Sequence, residues 1–175
     1  MVQPFTLKQL SAGGVTSALE KAQHYRLLNE PQEAESICLD VLAVTDADSA
    51  THAQARITLI LALSDQLEED MGCFELALNL IGELHGYERI YYEGLLCERR
   101  AKAHHRRGGL FAGTVAYDWF RRAMDCFDAA AKAPGRPQGN EDAILRWNTC
   151  ARLLMRHADL SPDLEREQQS EPLLE

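Results

Sequence analysis

The spacing of apolar residues is the feature that most constrains this chain. Wherever a pattern is clear, apolar residues recur about every 3.6 positions, as on one helix face, and strand-like alternation is absent. A Gly-Gly pair at 108–109 and a Pro-Gly pair at 134–135 fall where two of these patterns stop. The sequence therefore predicts an all-α protein. The predicted helices are Val15–Leu28, Gln32–Val44, Ser49–Gln66, Cys73–Leu84, Glu88–Arg107, Ala116–Ala133 and Glu141–His157.

Two of the predicted helix ends carry specific capping signals. The Asn140 side chain can accept a hydrogen bond from the free N–H groups at the start of the last helix. Gly108 and Gly109 can adopt the left-handed conformation that closes a helix. We therefore expect the last helix to begin directly after Asn140 and the fifth helix to end before Gly108.

The second, fourth and sixth predicted helices share one pattern, with spacings of 3, 1, 3 and 3 residues. This spacing places a stripe on a single helix face, and the small residue at its second position suits a close crossing of two helices. The fifth and seventh helices carry a bulky residue, a small one four positions later and a bulky one three positions after that. The stripes are Pro31-Ala34-Glu35-Cys38-Val41, Phe74-Ala77-Leu78-Ile81-Leu84 and Phe120-Ala123-Met124-Phe127-Ala130, and the partner triplets are Cys97-Ala101-His104 and Trp147-Ala151-Leu154.

This combination resembles the tetratricopeptide repeat family, of which the chain would be a divergent member. The resemblance implies a right-handed superhelical stack of about three antiparallel helix hairpins with a C-terminal capping helix. Residues 1–14 would then be an extension, 15–158 the repeat domain and 159–175 a polar, acidic tail. Glu35 departs from the family pattern, because an apolar residue is usual there, and additional residues occur near 68–71 and 109–117. The alternative is a helical bundle without repeats.

Composition restricts the partners and the compartment. The net charge of −9 argues against a surface that binds nucleic acid along its whole length, because phosphate binding needs an excess of Lys and Arg. No apolar stretch approaches the roughly 20 residues of a membrane span. Residues Met1–Gly14 lack the features of a signal peptide, so we expect a cytoplasmic protein. The five cysteines contain no C-x-x-C motif, and we expect them to be small buried apolar residues.

The resemblance also implies a concave groove that binds an extended peptide and is lined by the first, third, fifth and seventh helices. Several predicted groove residues are basic, and the segment 99–107 carries five full positive charges in nine residues. The groove would then hold an acidic segment or a terminal carboxylate of a partner. The alternative is a solvated helix face whose positive charges suit the helix C-terminus. The predicted partner-binding residues are Gln23, Arg26, Lys102, His105, Arg106, Asn148 and Arg152.

Signatures of catalysis and of cofactor or metal binding are absent from the sequence, so we expect neither an enzyme nor a cofactor. His104 and His105 point about 100° apart on a helix and do not suit one metal ion. His157 has no acid or cysteine at a ligand spacing, and a lone Trp147 at a packing position is expected in the core. The sequence therefore predicts an adaptor or scaffold that binds a peptide of another protein. The alternative is a small holding chaperone of the secretion type, with an apolar groove.

Overall fold

A computed structural model of the chain describes residues 5–162, and in this range every regular element is helical. The all-α prediction is confirmed. Seven α-helices follow a short 3-10 helix at Ala12–Gly14 within the described part of the chain. The helices are α1 (Val15–Leu27), α2 (Pro31–Val44), α3 (Ala50–Asp65), α4 (Cys73–Gly82), α5 (Gly86–Arg107), α6 (Ala112–Lys132) and α7 (Asp142–Arg156).

The chain divides into two compact units, Met1–Gln66 and Leu67–Glu175. In the described part of the first unit, α1 packs against both α2 and α3, and α2 packs against α3. Val15, Leu19, Val41 and Ala55 form an apolar cluster between these helices. Glu35, which departs from the repeat pattern, is half-buried and its Oε2 accepts a hydrogen bond from Gln66 Nε2 at 2.6 Å. The amide of Gln66 therefore compensates for a carboxylate at a position that is usually apolar.

In the described part of the second unit, α5 packs against α4, α6 and α7, and α6 also packs against α7. The predicted stripe of α6 is confirmed, because all five of its residues are buried. Gly94 of α5 lies against this stripe, and a Cβ added there would come within 2.9 Å of Phe127 Cε1. The absence of a side chain at Gly94 therefore sets how closely α5 and α6 approach.

A cation that contacts two aromatic rings joins α4, α5 and α6. The Arg100 guanidinium lies 4.0 Å from the ring centroid of Phe74 and 4.2 Å from that of Trp119. The two rings meet edge to face, with centroids 5.3 Å apart. One of the positive charges in segment 99–107 thus lies against aromatic rings, where cation–π attraction offsets part of the lost hydration.

The observed helix boundaries differ most from the predicted ones at α6, which begins at Ala112 rather than Ala116. Gly108 and Gly109 have positive φ angles of 67° and 104°, as predicted for the end of α5. Phe111 also takes a left-handed conformation, and no side chain caps the first N–H groups of α6. A helix that starts without a capping side chain leaves little signal in the sequence.

α7 begins at Asp142, one residue after its predicted start, although Asn140 makes the predicted hydrogen bond. Asn140 Oδ1 accepts a hydrogen bond from the Asp142 backbone N–H at 2.9 Å. At the other end, the tail predicted to start at residue 159 is packed in its first residues, since Leu160 is buried. Two parts of the chain lie outside the described residues: residues 163–175 of the predicted tail and residues 1–4 of the predicted extension.

Candidate binding site

One side of α7 is exposed and carries a mixture of apolar and polar residues. Ile144, Asn148 and Met155 follow one another at helical spacing together with the half-buried Ala151, so they share a face. Ile144 is 41% exposed and Met155 78% exposed. Trp147, predicted to be in the core, borders the same face and is 38% exposed. The prediction for Trp147 is therefore wrong, because α6 covers the opposite side of α7, where Ala143 and Cys150 are buried.

Positive charge flanks this exposed side. Arg152 lies one turn after Asn148, Arg156 lies one turn after Arg152, and both arginines are exposed. Arg152 forms no ion pair with any residue in the range 5–162. We call the residues Ile144, Trp147, Asn148, Arg152 and Met155 the α7 face. An exposed apolar patch bordered by polar groups is typical of a binding surface.

A buried glutamate, Glu98, lies at the contact between α5 and α7. The Glu98 side chain is fully buried, and its Oε1 accepts a hydrogen bond from Lys102 Nζ, one turn further along α5. The Arg146 Nη1 of α7 donates to the same oxygen at 3.4 Å. Two cations therefore offset the charge of one buried carboxylate through Oε1, whereas Glu98 Oε2 has no hydrogen-bond partner among residues 5–162.

This network connects α7 to the aromatic residues of α5. The charge of Glu98 and a hydrogen bond with Tyr91 raise the pKa of Arg146, although burial opposes them. Burial raises the pKa of Cys150 to about 12, and the nearby Glu98 carboxylate contributes in the same direction. Arg146 therefore remains charged, Cys150 remains a neutral thiol, and neither is prepared for proton transfer near neutral pH.

The predicted basic residues of α5 are engaged by acids of the same chain. Lys102 contacts Glu98, and Arg106 contacts Glu68. The Arg107 Nε donates to the backbone oxygen of Glu68 at 2.8 Å. The positive charges of segment 99–107 are thus distributed around α5, and Lys102 meets α7 through Glu98 and Arg146. Lys102 and Arg106, two of the predicted partner-binding residues, therefore already have internal partners.

The remaining predicted residues lie in two places. Gln23 and Arg26 are half-buried on α1 in the first unit, and Arg26 Nε donates to Asp65 Oδ2 of α3 at 2.8 Å. His105, at the end of α5, pairs with Asp159, with 2.8 Å between Nε2 and Oδ2. Of the seven predicted residues, the half-buried Asn148 and the exposed Arg152 lie one turn apart on α7.

The sequence analysis did not predict which residues pair in these contacts. Glu98 and Lys102 stand four residues apart, the spacing of a helical ion pair, so this pair could have been found in the sequence. His157 and Asp159 lie within 4.8 Å of His105 by their potential ligand atoms. Fifty-two residues separate His105 from His157, so no sequence spacing could show that they meet.

A separate pocket of about 480 Å³ lies where the start of α5 meets the loop before α7. Tyr87, Tyr91 and Tyr92 contribute to its walls. Tyr87 Oη donates to Asn140 Oδ1 at 3.3 Å, and burial raises the pKa of Tyr92 to about 12. These phenols are neutral hydrogen-bonding groups at physiological pH, so they offer stacking surfaces rather than an anion or a base.

The chain matches no family model, no curated protein and no solved structure in the comparisons with known proteins. None of the helices within residues 5–162 combines the length and apolar character that a membrane crossing needs.

Proposed function

We propose that this chain is a non-catalytic protein-interaction module, an adaptor or scaffold, whose α7 face binds an acidic, amphipathic segment of a partner protein. The observation that carries the proposal is the exposure of Ile144 and Met155 beside Arg152, which has no ion pair within residues 5–162. Apolar contact would supply most of the binding energy. The arginine would select an acidic partner and orient it.

We also propose that the helices form the tetratricopeptide-like right-handed superhelical stack. Support comes from the packing within each unit. In the first unit α1 contacts α3, and in the second α5 contacts α7, in addition to the contacts between consecutive helices. Contact between the first helices of successive hairpins is what a stack of such repeats requires. In this arrangement α7 is the capping helix.

Charge complementarity indicates which kind of segment fits. The chain has a net charge of −9, yet α7 contains three arginines and one acid. Arg146 is engaged by Glu98, which leaves Arg152 and Arg156 to act on a partner. An acidic segment would be attracted to this helix, whereas a basic segment would meet two exposed cations.

The proposal can be tested with two synthetic peptides that share an apolar stripe and differ only in carrying Glu or Lys on the polar face. We expect the acidic peptide to bind, with an affinity that falls as salt rises, because screening weakens exposed ion pairs. Fluorescence anisotropy of labelled peptides measures both affinities. Met155→Asp should abolish binding, and Arg152→Glu should weaken it at least about tenfold, the equivalent of 1.4 kcal/mol.

Arg121→Glu provides a matched control, because Arg121 is an exposed arginine on α6. It should bind the acidic peptide like the parent chain. Lys102→Glu is unsuitable, since a second carboxylate beside the buried Glu98 would destabilise the fold. Equal binding of the two peptides, or binding by the Met155→Asp variant, would contradict the proposal.

The exposed Ile144, Trp147 and Met155 also favour the second candidate, a holding chaperone with an apolar binding surface. The same measurements separate the two functions. A chaperone surface would bind both peptides, retain them at high salt and tolerate Arg152→Glu, while Met155→Asp would still abolish binding. The adaptor function requires the opposite responses to salt and to Arg152→Glu.

A further inference from the structure

We propose that His105, His157 and Asp159 form a binding site for a divalent transition-metal ion of the zinc type. The three side chains come from the last turn of α5 and from the segment that follows α7. Each offers one ligand atom, and these atoms all lie within 4.8 Å of one another. Two imidazoles and one carboxylate are a ligand set that suits zinc and its neighbours.

The ligand atoms lie within 4.8 Å of one another, a wider spacing than a bound ion would impose. Ligand atoms at zinc–nitrogen and zinc–oxygen bond lengths of about 2.0–2.2 Å lie about 3.3 Å apart in a tetrahedron. His105 Nε2 lies 2.8 Å from Asp159 Oδ2, and His157 Nδ1 lies 3.9 Å from Asp159 Oδ1. The two imidazole rings meet edge to face at 5.0 Å between centroids. Small side-chain rotations would bring all three atoms to bonding distance of one ion.

The backbone holds the segment after α7 in place. The His157 N–H donates to the Leu153 oxygen at 3.1 Å, and the Leu160 N–H donates to the His157 oxygen at 3.0 Å. Leu160 is only 4% exposed. The Asp159 carbonyl packs so closely on Gly113 of α6 that a Cβ there would overlap it. Two of the ligands therefore lie on a fixed turn, and ion binding requires little further ordering.

The open side of the cluster leaves room for a further ligand. A cavity of about 370 Å³ adjoins His105 and Asp159. Its other lining residues are mostly small, among them Gly108, Gly109 and Gly113. Three protein ligands with an open position leave the fourth site to water or to a small anion. The nearby cations Arg106 and Arg107 contact Glu68, which reduces their repulsion of an incoming ion.

Metal binding can be measured on the full chain after treatment with a chelator. We expect isothermal titration calorimetry to show one Zn²⁺ bound per chain and thermal melting to shift upward with added Zn²⁺, because the ion binds the folded state. Co²⁺ should give the visible absorption of a site with nitrogen and oxygen ligands. His157→Ala and Asp159→Asn should each lower Zn²⁺ affinity at least about tenfold, since even supporting residues of metal sites contribute that much.

His24→Ala and Cys126→Ser are the matched controls, because His24 is an exposed histidine on α1 and Cys126 is the one half-buried thiol among the five. Both should bind Zn²⁺ like the parent chain. His157 and Asp159 have side chains 43% and 61% exposed, so their variants should retain the helical signal and the metal-free melting temperature. Absence of Zn²⁺ uptake, or equal uptake by parent and site variants, would overturn the proposal.

Discussion

Gly94 shows how a single residue sets a helix crossing. A Cβ at this position would lie 2.9 Å from Phe127 Cε1 and 3.0 Å from Cys126 Cβ. We therefore expect Gly94→Ala to destabilise the fold by about 1–3 kcal/mol, the usual cost of overpacking, even though alanine favours helix formation. Chemical denaturation measures the change in the free energy of unfolding.

Gly82→Ala is the matched control for this prediction. Gly82 is the last residue of α4, and a Cβ added there would meet nothing within 4 Å. That variant should be neutral or more stable by up to about 1 kcal/mol, because alanine restricts the unfolded chain. If both variants had equal stability, the close approach of α5 and α6 at Gly94 would be disproved.

At the residue scale, the sequence predicted burial better than it predicted partners. The small residues Ala34, Ala77 and Ala123 of the repeated stripes are all fully buried, because helical spacing alone determines which residues share a face. Arg106 could not be assigned its internal acid in the same way. Arg106 meets Glu68 across 38 positions of the chain, and only the folded backbone brings them together.

At the scale of the helix, the start of α3 offers a clear test of capping. Ser49 Oγ accepts a hydrogen bond from the His52 backbone N–H at 3.1 Å, and Ser49 has the extended backbone of a capping residue. We expect Ser49→Ala to lower the free energy of unfolding by about 1 kcal/mol. Thermal or chemical denaturation is a suitable measurement.

Ser17→Ala is the matched control. It makes the same substitution at a serine that caps no helix, since Ser17 is an exposed residue of α1. It should cost nothing, because alanine favours a helix interior. A Ser49→Ala variant as stable as Ser17→Ala would show that the α3 cap does not contribute to stability.

The sequence predicted some helices better than others. α6 has one apolar face, and its stripe was predicted in full. α3 is buried on several sides, since residues 58–60 and 62–64 are all buried. Apolar and small residues therefore occur all around this helix, and the sequence did not show which face points to the core. α5 begins at Gly86 rather than Glu88, because a glycine start resembles a turn in sequence.

At the scale of the whole molecule, buried thiols make stability depend on pH in the alkaline range. Burial raises the pKa of Cys38 in the first unit and of Cys150 in the second to about 12, from an ordinary value of 9.0. Above pH 9 the unfolded chain therefore loses protons that the folded chain retains. The folded state binds more protons, so stability should be complete below pH 9 and fall as the pH rises towards 12.

Melting temperatures between pH 8 and 11 test this expectation for the parent chain and for Cys38→Ala and Cys150→Ala. Each variant should be less stable at pH 8 because it leaves a small cavity, yet its melting temperature should fall less steeply with pH. An identical pH dependence in all three proteins would mean that these thiols do not titrate differently on folding.

The contact of Arg100 with Phe74 and Trp119 has an optical consequence. The chain contains two tryptophans, and their surroundings differ: Trp119 has a guanidinium 4.2 Å from its ring centroid, while Trp147 lies on the exposed α7 face. A dissolved quencher such as iodide should reach the Trp147 indole more readily than the half-enclosed Trp119 indole. In a Trp147→Phe variant, the fluorescence of Trp119 would report on the packing of α4, α5 and α6. In a variant without Trp119, the fluorescence of Trp147 would report on binding at the α7 face.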